Sequence, residues 1–228
     1  MHLLSDFTRL DGIALATFFF LWMSHFYVIN HSRFRVHTIT HHMTIVREQW
    51  MRNLIARSAS PFDALIQNGL QQGVLFFGST SVLLIGAMVA GLGASERAVS
   101  VLQDLPMSTT GSSTEWEIKL LLVLFIFVFA FFKFAWSFRL FNYVIIMIGA
   151  APAADKGADE VERYAVKLAT LHALGAKHFT TGLNSYFFAL AAFAWFLNAW
   201  LFIGATLWVS LVLYRRTFRS KFCKIYNS

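Results

Sequence analysis

Four stretches of this chain run so long with so little charge that each must be a membrane-crossing or deeply enclosed helix: about residues 12–30, 69–94, 116–150 and 183–214. Roughly 20 apolar residues suffice to cross a bilayer as a helix, so the third and fourth are longer than one simple span needs. The second carries no charge between Asp63 and Glu96. No strand-like alternation accompanies these runs, which removes a lipid-facing barrel. Backbone exposed to lipid must then bond to itself along a helix. Pro61, Pro106 and Pro152 all fall outside the stretches, where helix breakers belong. The expected fold is therefore an all-α, polytopic membrane bundle of about four transmembrane segments in a single domain.

Composition agrees. Of the 228 residues, 57% are hydrophobic and only 14% charged, against roughly 25% charged in soluble domains. A single cysteine, Cys223, excludes an internal disulfide framework and any cysteine-rich metal site. The net charge of +7 reads as a topology signal and as contacts to anionic lipid rather than to nucleic acid. One basic residue, Arg9, precedes the first apolar run, and no clear small-residue cleavage site follows. Met1 onward is thus expected in the mature chain.

Two segments between the apolar runs have helical spacing. In the first, Met43, Val46, Trp50 and Leu54 repeat on one face among Arg33, Arg35, Arg47, Arg52 and Arg57. This predicts an interfacial amphipathic helix over about 38–57. In the second, Asp159-x-x-Glu162 reads as a helix start, with Val161, Ala165, Leu168 and Leu171 on one face over about 159–176. Residues 95–115 hold one cation, Arg97, and read as a flexible loop ending in a Ser/Thr/Gly run. Four simple spans would set the basic tail after Arg215 opposite the basic first loop, against the positive-inside rule. A hairpin around Asn198 within the last stretch would return the tail to the side of the first and third loops. Otherwise the tail lies outside. Trp195, Trp200 and Trp208 read as interfacial markers, and three such levels in one stretch also suggest a kink or re-entrance.

Small residues recur at four-residue spacing in the second stretch, at Gly69/Gly73 and Gly86/Ala90/Ala94. Such spacing lets helices approach closely, and packing within one bundle is the expected use. Asn68, Gln71 and Gln72 read as residues solvated at the interface.

The unusual chemistry lies in the third stretch. Lys133 and Arg139 sit in greasy surroundings, and cations at that depth must face protein, water or headgroups. On a helix, Trp136, Arg139, Asn142 and Tyr143 fall within about 120° of one another, with Lys133 some 60° beyond Trp136. With no carboxylate nearby in sequence, a phosphate headgroup or inorganic anion is the natural partner. Protein acceptors such as Asn30, Ser79, Thr80, Ser81 and Asn198 are the alternative. The plain reading is that the span ends near Ser137, so that Lys133 snorkels and the rest line the headgroup region.

His37 and His41 stand four apart, with His42 next to them, a spacing two metal ligands could use. The string resembles one His box of membrane di-iron oxygenases, which need several. Surface or interfacial histidines are the expected reading, and no metal is expected. No phosphate-cradling glycine loop or dinucleotide fingerprint is present.

Three blocks carry a family resemblance. One is Val46-Arg47-Glu48-Gln49-Trp50-Met51 with Phe76-Phe77-Gly78-Ser79-Thr80-Ser81. Another is Trp116-Glu117-Ile118-Lys119 with Phe131-Phe132-Lys133-Phe134-Ala135-Trp136-Ser137-Phe138-Arg139 and Ala151-Pro152. The last is His178-Phe179-Thr180-Thr181-Gly182-Leu183-Asn184-Ser185-Tyr186-Phe187-Phe188-Ala189-Leu190 with Trp195 and Tyr214-Arg215-Arg216. From about residue 40 to 220 the chain resembles the bacterial and plant membrane proteins of domain of unknown function 599. The resemblance implies a multi-pass, four-helix-type protein of the bacterial inner membrane, with no chemistry attached. The family pattern has an arginine where Asn184 stands and an acid where Thr217 stands.

The expected role is a non-enzymatic inner-membrane scaffold or accessory subunit. Its partners would be membrane lipids, further copies of itself or a larger membrane complex, and not nucleic acid. No cofactor is expected, and a phospholipid is a candidate ligand. The alternatives are a homo-oligomeric channel or transporter for a small anion or lipid, using Lys133 and Arg139, and a metal-dependent membrane enzyme using His37, His41 and His42.

Overall fold

A computed structural model describes residues 8–31, 39–57, 60–103, 112–152 and 157–218. They form helices α1 (Arg9–His31), α2 (Ile39–Ala56), α3 (Pro61–Leu92), α4 (Ser95–Gln103), α5 (Ser113–Gly149), α6 (Ala158–Phe193) and α7 (Ala199–Phe218), with a short 3-10 turn at Ala194–Phe196. Among the described residues there is no strand. Four helices are long and apolar enough to cross a membrane: α1 over Arg9–Val28, and the whole of α3, α5 and α7.

The helix starts follow from local chemistry. Thr8 caps α1: its amide and hydroxyl both donate to Asp11 Oδ2, and Asp11 N returns a bond to Thr8 Oγ1. At α3, Ser60 N and Oγ likewise both donate to Asp63 Oδ2, and Asp63 N donates to the Ser60 carbonyl. Pro61 therefore opens α3 instead of lying outside it, because the first helical position has no amide bond to lose. At α5, Glu115 N donates to Ser112 Oγ. The start of α6 differs from the sequence expectation. Gly157 O accepts from Glu160 N and Val161 N, so Asp159 lies inside the first turn and does not cap it.

The chain divides into two compact units. The first contains residues 1–32, 80–130 and 183–216. Its core is aromatic. Phe18 is fully buried, edge-on to Phe188 (5.8 Å between centroids) and tilted against Phe202 (5.2 Å) and Trp22 (5.7 Å). Such ring pairs add roughly 0.5–1.5 kcal/mol beyond area burial.

Contacts within this unit fix helix directions. Asp11 meets Trp195 while His25 meets Asn184, so α1 and α6 are antiparallel. Gly91 lies against Leu120, and Ser81 reaches Tyr186, whose ring meets Phe127. Hence α3 opposes α5. The Arg216 guanidinium stands 5.9 Å over the Phe187 ring. A straight helix would separate these two residues by about 43 Å, so the chain turns back after α6. The turn lies at residues 194–198, and Asn198 Oδ1 accepts from Leu201 N to start α7. The last apolar stretch is therefore a hairpin.

The second unit contains residues 33–79, 131–182 and 217–228. Met51, Leu54 and Ile55 of α2 pack with Val144 of α5 and Ala165, Leu168 and Ala169 of α6. Each fully buried Leu or Met of this kind contributes about 1.5–3 kcal/mol. The buried face of α2 is centred on Met51 and Leu54, whereas Val46 is exposed. The expected helix at 159–176 is not a separate surface element. It is the first part of α6, continuous to Phe193.

Two glycines set the spacing of α5 and α6 here. A Cβ on Gly182 would stand 2.6 Å from the Phe134 ring, and one on Gly175 would stand 3.0 Å from the Phe141 ring. Both pairs are seven residues apart and run in opposite directions, as antiparallel helices in contact require. Ser137 Oγ adds a bond to Gly175 O at 2.8 Å.

Gly69, Gly73 and Gly86 of α3 do not pack inside the bundle as expected. An added Cβ at Gly69, Gly73 or Gly86 would meet nothing within 4 Å, and Gly86 and Ala90 are exposed. Residues 95–103 form α4 in place of a loop, and the Ser/Thr/Gly run lies mostly outside the described residues.

Candidate functional site

The α5 stripe divides in two. Trp136, Arg139 and Tyr143 are exposed on one face. Arg139 Nε donates to Tyr143 Oη at 2.6 Å across one turn. Asn142 turns the other way and accepts from Gln71 Nε2 at 2.8 Å, which removes it from the stripe. Gln71 thereby ties α3 to α5. Lys133 lies on the flank toward α6, within electrostatic reach of Lys177 and His178. The Trp136 and His178 rings are 6.4 Å apart and edge-on. Of the protein acceptors considered for these cations, Ser81 bonds Tyr186 and Asn198 caps α7. The Asn30 side chain lies outside the described residues.

Two further clusters are buried. In the first unit, Trp195 is no interfacial marker. It is fully buried and its Nε1 donates to Asp11 Oδ1 at 2.8 Å. Lys119, 1% exposed, donates to Glu115 Oε1 at 2.6 Å and stands 5.7 Å from the centre of the Trp195 ring. The start of α1, the start of α5 and the turn before α7 are thus tied by charge. The Glu115/Lys119 spacing of four residues was the available sequence signal for the pair. The partnership of Asp11 with Trp195 had none.

In the second unit, Asp63 is buried and accepts from Trp50 Nε1 (2.9 Å) and from Arg57 (2.7 Å), besides its bonds from Ser60. Gln67 lies one turn further along the same face of α3 and is 1% exposed. Neither of its amide atoms has a hydrogen-bond partner, and neither nitrogen of buried His172 has one. His172 is edge-on to Trp50 (5.5 Å) and tilted against Phe141 (5.1 Å). The Arg47 guanidinium lies within electrostatic reach of the ring, and burial lowers the Arg47 pKa.

The histidine string is only partly described. His37 lies outside the described residues, and the rings of His41 and His42 are 6.0 Å apart on α2. Among the described residues no group of three His, Cys, Asp or Glu could hold a metal ion.

The sequence profile of a family described as a protein of unknown function, DUF599, matches residues 13–222. The chain belongs to the DUF599 family. No curated protein and no solved structure matches it. In this DUF599 member, Asn184 sets its Nδ2 3.3 Å from His25 Nε2. Both buried clusters include residues from the blocks that carried the resemblance: Lys119 and Trp195 in one, Arg47 and Trp50 in the other.

Proposed function

We propose that this protein is a non-enzymatic scaffold or accessory subunit of the bacterial inner membrane, docking a partner helix against α3. The partner is a second copy or another membrane protein. The observation that carries this reading is the outward face of α3. Only 11% of its spanning window is buried within the chain, against 44% for α5. Leu83 is 74% exposed, and Gly86 and Ala90 follow it on the same face. Lipid tails are as apolar as leucine, so helix association in a bilayer depends on close backbone approach, which small residues allow.

Charge supports a cytoplasmic placement of the first loop, the third loop and the tail. We infer that the tail shares the side of those two loops, because the chain turns back after α6 and Arg216 of α7 returns to Phe187. Lys119, Lys133 and Arg139 lie within α5. Of the other Lys and Arg residues, only Arg9 and Arg97 fall on the opposite side. That asymmetry satisfies the positive-inside rule, which the four-span count did not. In this arrangement α6 is a further crossing, its polar residues sheltered by neighbouring helices.

The test is cysteine cross-linking in native membranes. With Cys223 replaced by serine, Leu83→Cys or Ala90→Cys is expected to give a discrete cross-linked species, while Leu121→Cys on α5 gives none. No discrete species from either α3 position, in the native host at native expression, overturns the reading.

A further inference from the structure

We propose that α3 pairs with α3 of a second copy of this chain, parallel and in register across a two-fold axis. Such pairing rests on α3 docking and specifies the partner. The outward side of α3, one continuous helix, carries a seam that repeats every seven residues. Phe62, Phe76 and Leu83 stand at multiples of seven from one another, and Leu65, Gln72 and Ser79 each fall three residues after a seam position. On an ideal helix all six lie within about 100° of one another. Phe62 and Leu65 are each 67% exposed, Phe76 65% and Leu83 74%. Gln72 and Ser79 are exposed beside them, whereas Asp63, Gln67 and Val74 occupy the opposite side and are buried. A seven-residue repeat sustained on one face is the pattern of a left-handed helix pair.

Lipid alone does not suit this seam. The charge-free run between Asp63 and Glu96 is centred beside Ser79. At 1.5 Å per residue Gln72 is then about 11 Å from the centre, and both side chains fall inside a hydrocarbon core of about 30 Å. An amide or hydroxyl turned toward acyl chains has nothing to bond with, whereas a neighbouring helix supplies partners. A second copy is the occupant the seam itself fits. The Gln72 amide and the Ser79 hydroxyl each donate and accept, so each can bond its own counterpart across a two-fold axis. The seam carries no charge, so identical faces meet without repulsion. Copies of one chain insert with the same sidedness, set by the distribution of Lys and Arg, so the paired helices run parallel. Gly69 and Ala90 continue the seven-residue repeat as gaps that let the two backbones approach.

The experiment uses the full chain with Cys223→Ser, co-expressed in native membranes as two copies with different epitope tags. Leu65→Cys, Phe76→Cys and Leu83→Cys probe the seam. Val82→Cys and Val89→Cys are controls, because those residues are 53% and 55% exposed yet lie about 100° or more from the middle of the seam. Under mild oxidation each seam variant is expected to give a disulfide-linked species carrying both tags, and the controls none, since a disulfide needs Cα atoms within about 7 Å. Adding Gln72→Leu and Ser79→Ala to Leu83→Cys is expected to lower the initial cross-linking rate roughly eightfold, from about threefold per residue. A discrete species with one tag and the mass of a different partner leaves α3 docking standing and overturns pairing with a second copy. Control cysteines that cross-link as fast as the seam, or an unchanged rate without Gln72 and Ser79, overturn it as well. No species from any of the three seam positions overturns both the pairing and the docking.

Discussion

His172 makes a prediction that can be worked through. Its imidazole is 2% exposed, packed between Trp50 and Phe141, and neither ring nitrogen has a hydrogen-bond partner. A buried polar group left without a partner costs about 1–3 kcal/mol. The perturbation is His172→Phe, which suits the aromatic surroundings and removes both nitrogens. The assay is reversible unfolding by sodium dodecyl sulfate in mixed micelles at about pH 7.5, for wild type and variant. The variant is expected to be more stable by about 1–3 kcal/mol. A strongly destabilised variant would refute the reasoning, because it would mean that His172 holds something.

Gly182→Ala is expected to cost about 1–3 kcal/mol, because the Phe134 ring it strikes is hemmed in by Phe77 and Phe179; thermal unfolding in detergent measures it. Gly86→Ala on the open face of α3 should leave that stability unchanged while weakening any cross-link there. Lys119→Met strips Glu115 of a 2.6 Å partner in a buried site, at a cost of about 3–5 kcal/mol. Combining it with Glu115→Leu should recover much of that loss in the same unfolding assay, because no carboxylate is then left stranded.

The sequence made the helical class legible because unbroken apolar runs admit no other lipid-compatible backbone. It also carried the start of α2 and the course of α5, where apolar spacing is dense. It hid α6. Lys167, His172, Lys177 and His178 interrupt the apolar run, so the segment read as a surface helix followed by a span. Its coherence comes from tertiary facts: Gly175 and Gly182 admit two phenylalanines, and His172 is buried among aromatics. The α5 stripe was half legible for a related reason. Helical angles placed Asn142 beside Tyr143, but only the packed structure shows the Gln71 bond that draws Asn142 inward. Trp195 is the sharpest case. An indole in an apolar run reads as an interface marker, and only the distant Asp11 carboxylate makes it a buried donor.

The division of labour on α3 follows from the same contrast. Its inward face has a polar residue at each turn, Asp63, Gln67 and Gln71, and that face is committed to the helices around it. A helix anchored by directional hydrogen bonds is fixed in rotation, so its opposite face is presented in a fixed orientation. That face is where Leu83, Gly86 and Ala90 stand. Were α3 free to rotate, a small-residue ridge would face lipid and partner in turn, and no close approach would persist. Asp63→Asn should therefore affect association as well as folding. It weakens the acceptor for Trp50 and Arg57 without touching the outward face, so a loss of Leu83→Cys cross-linking in a protein that still folds would locate the rotational anchor at Asp63.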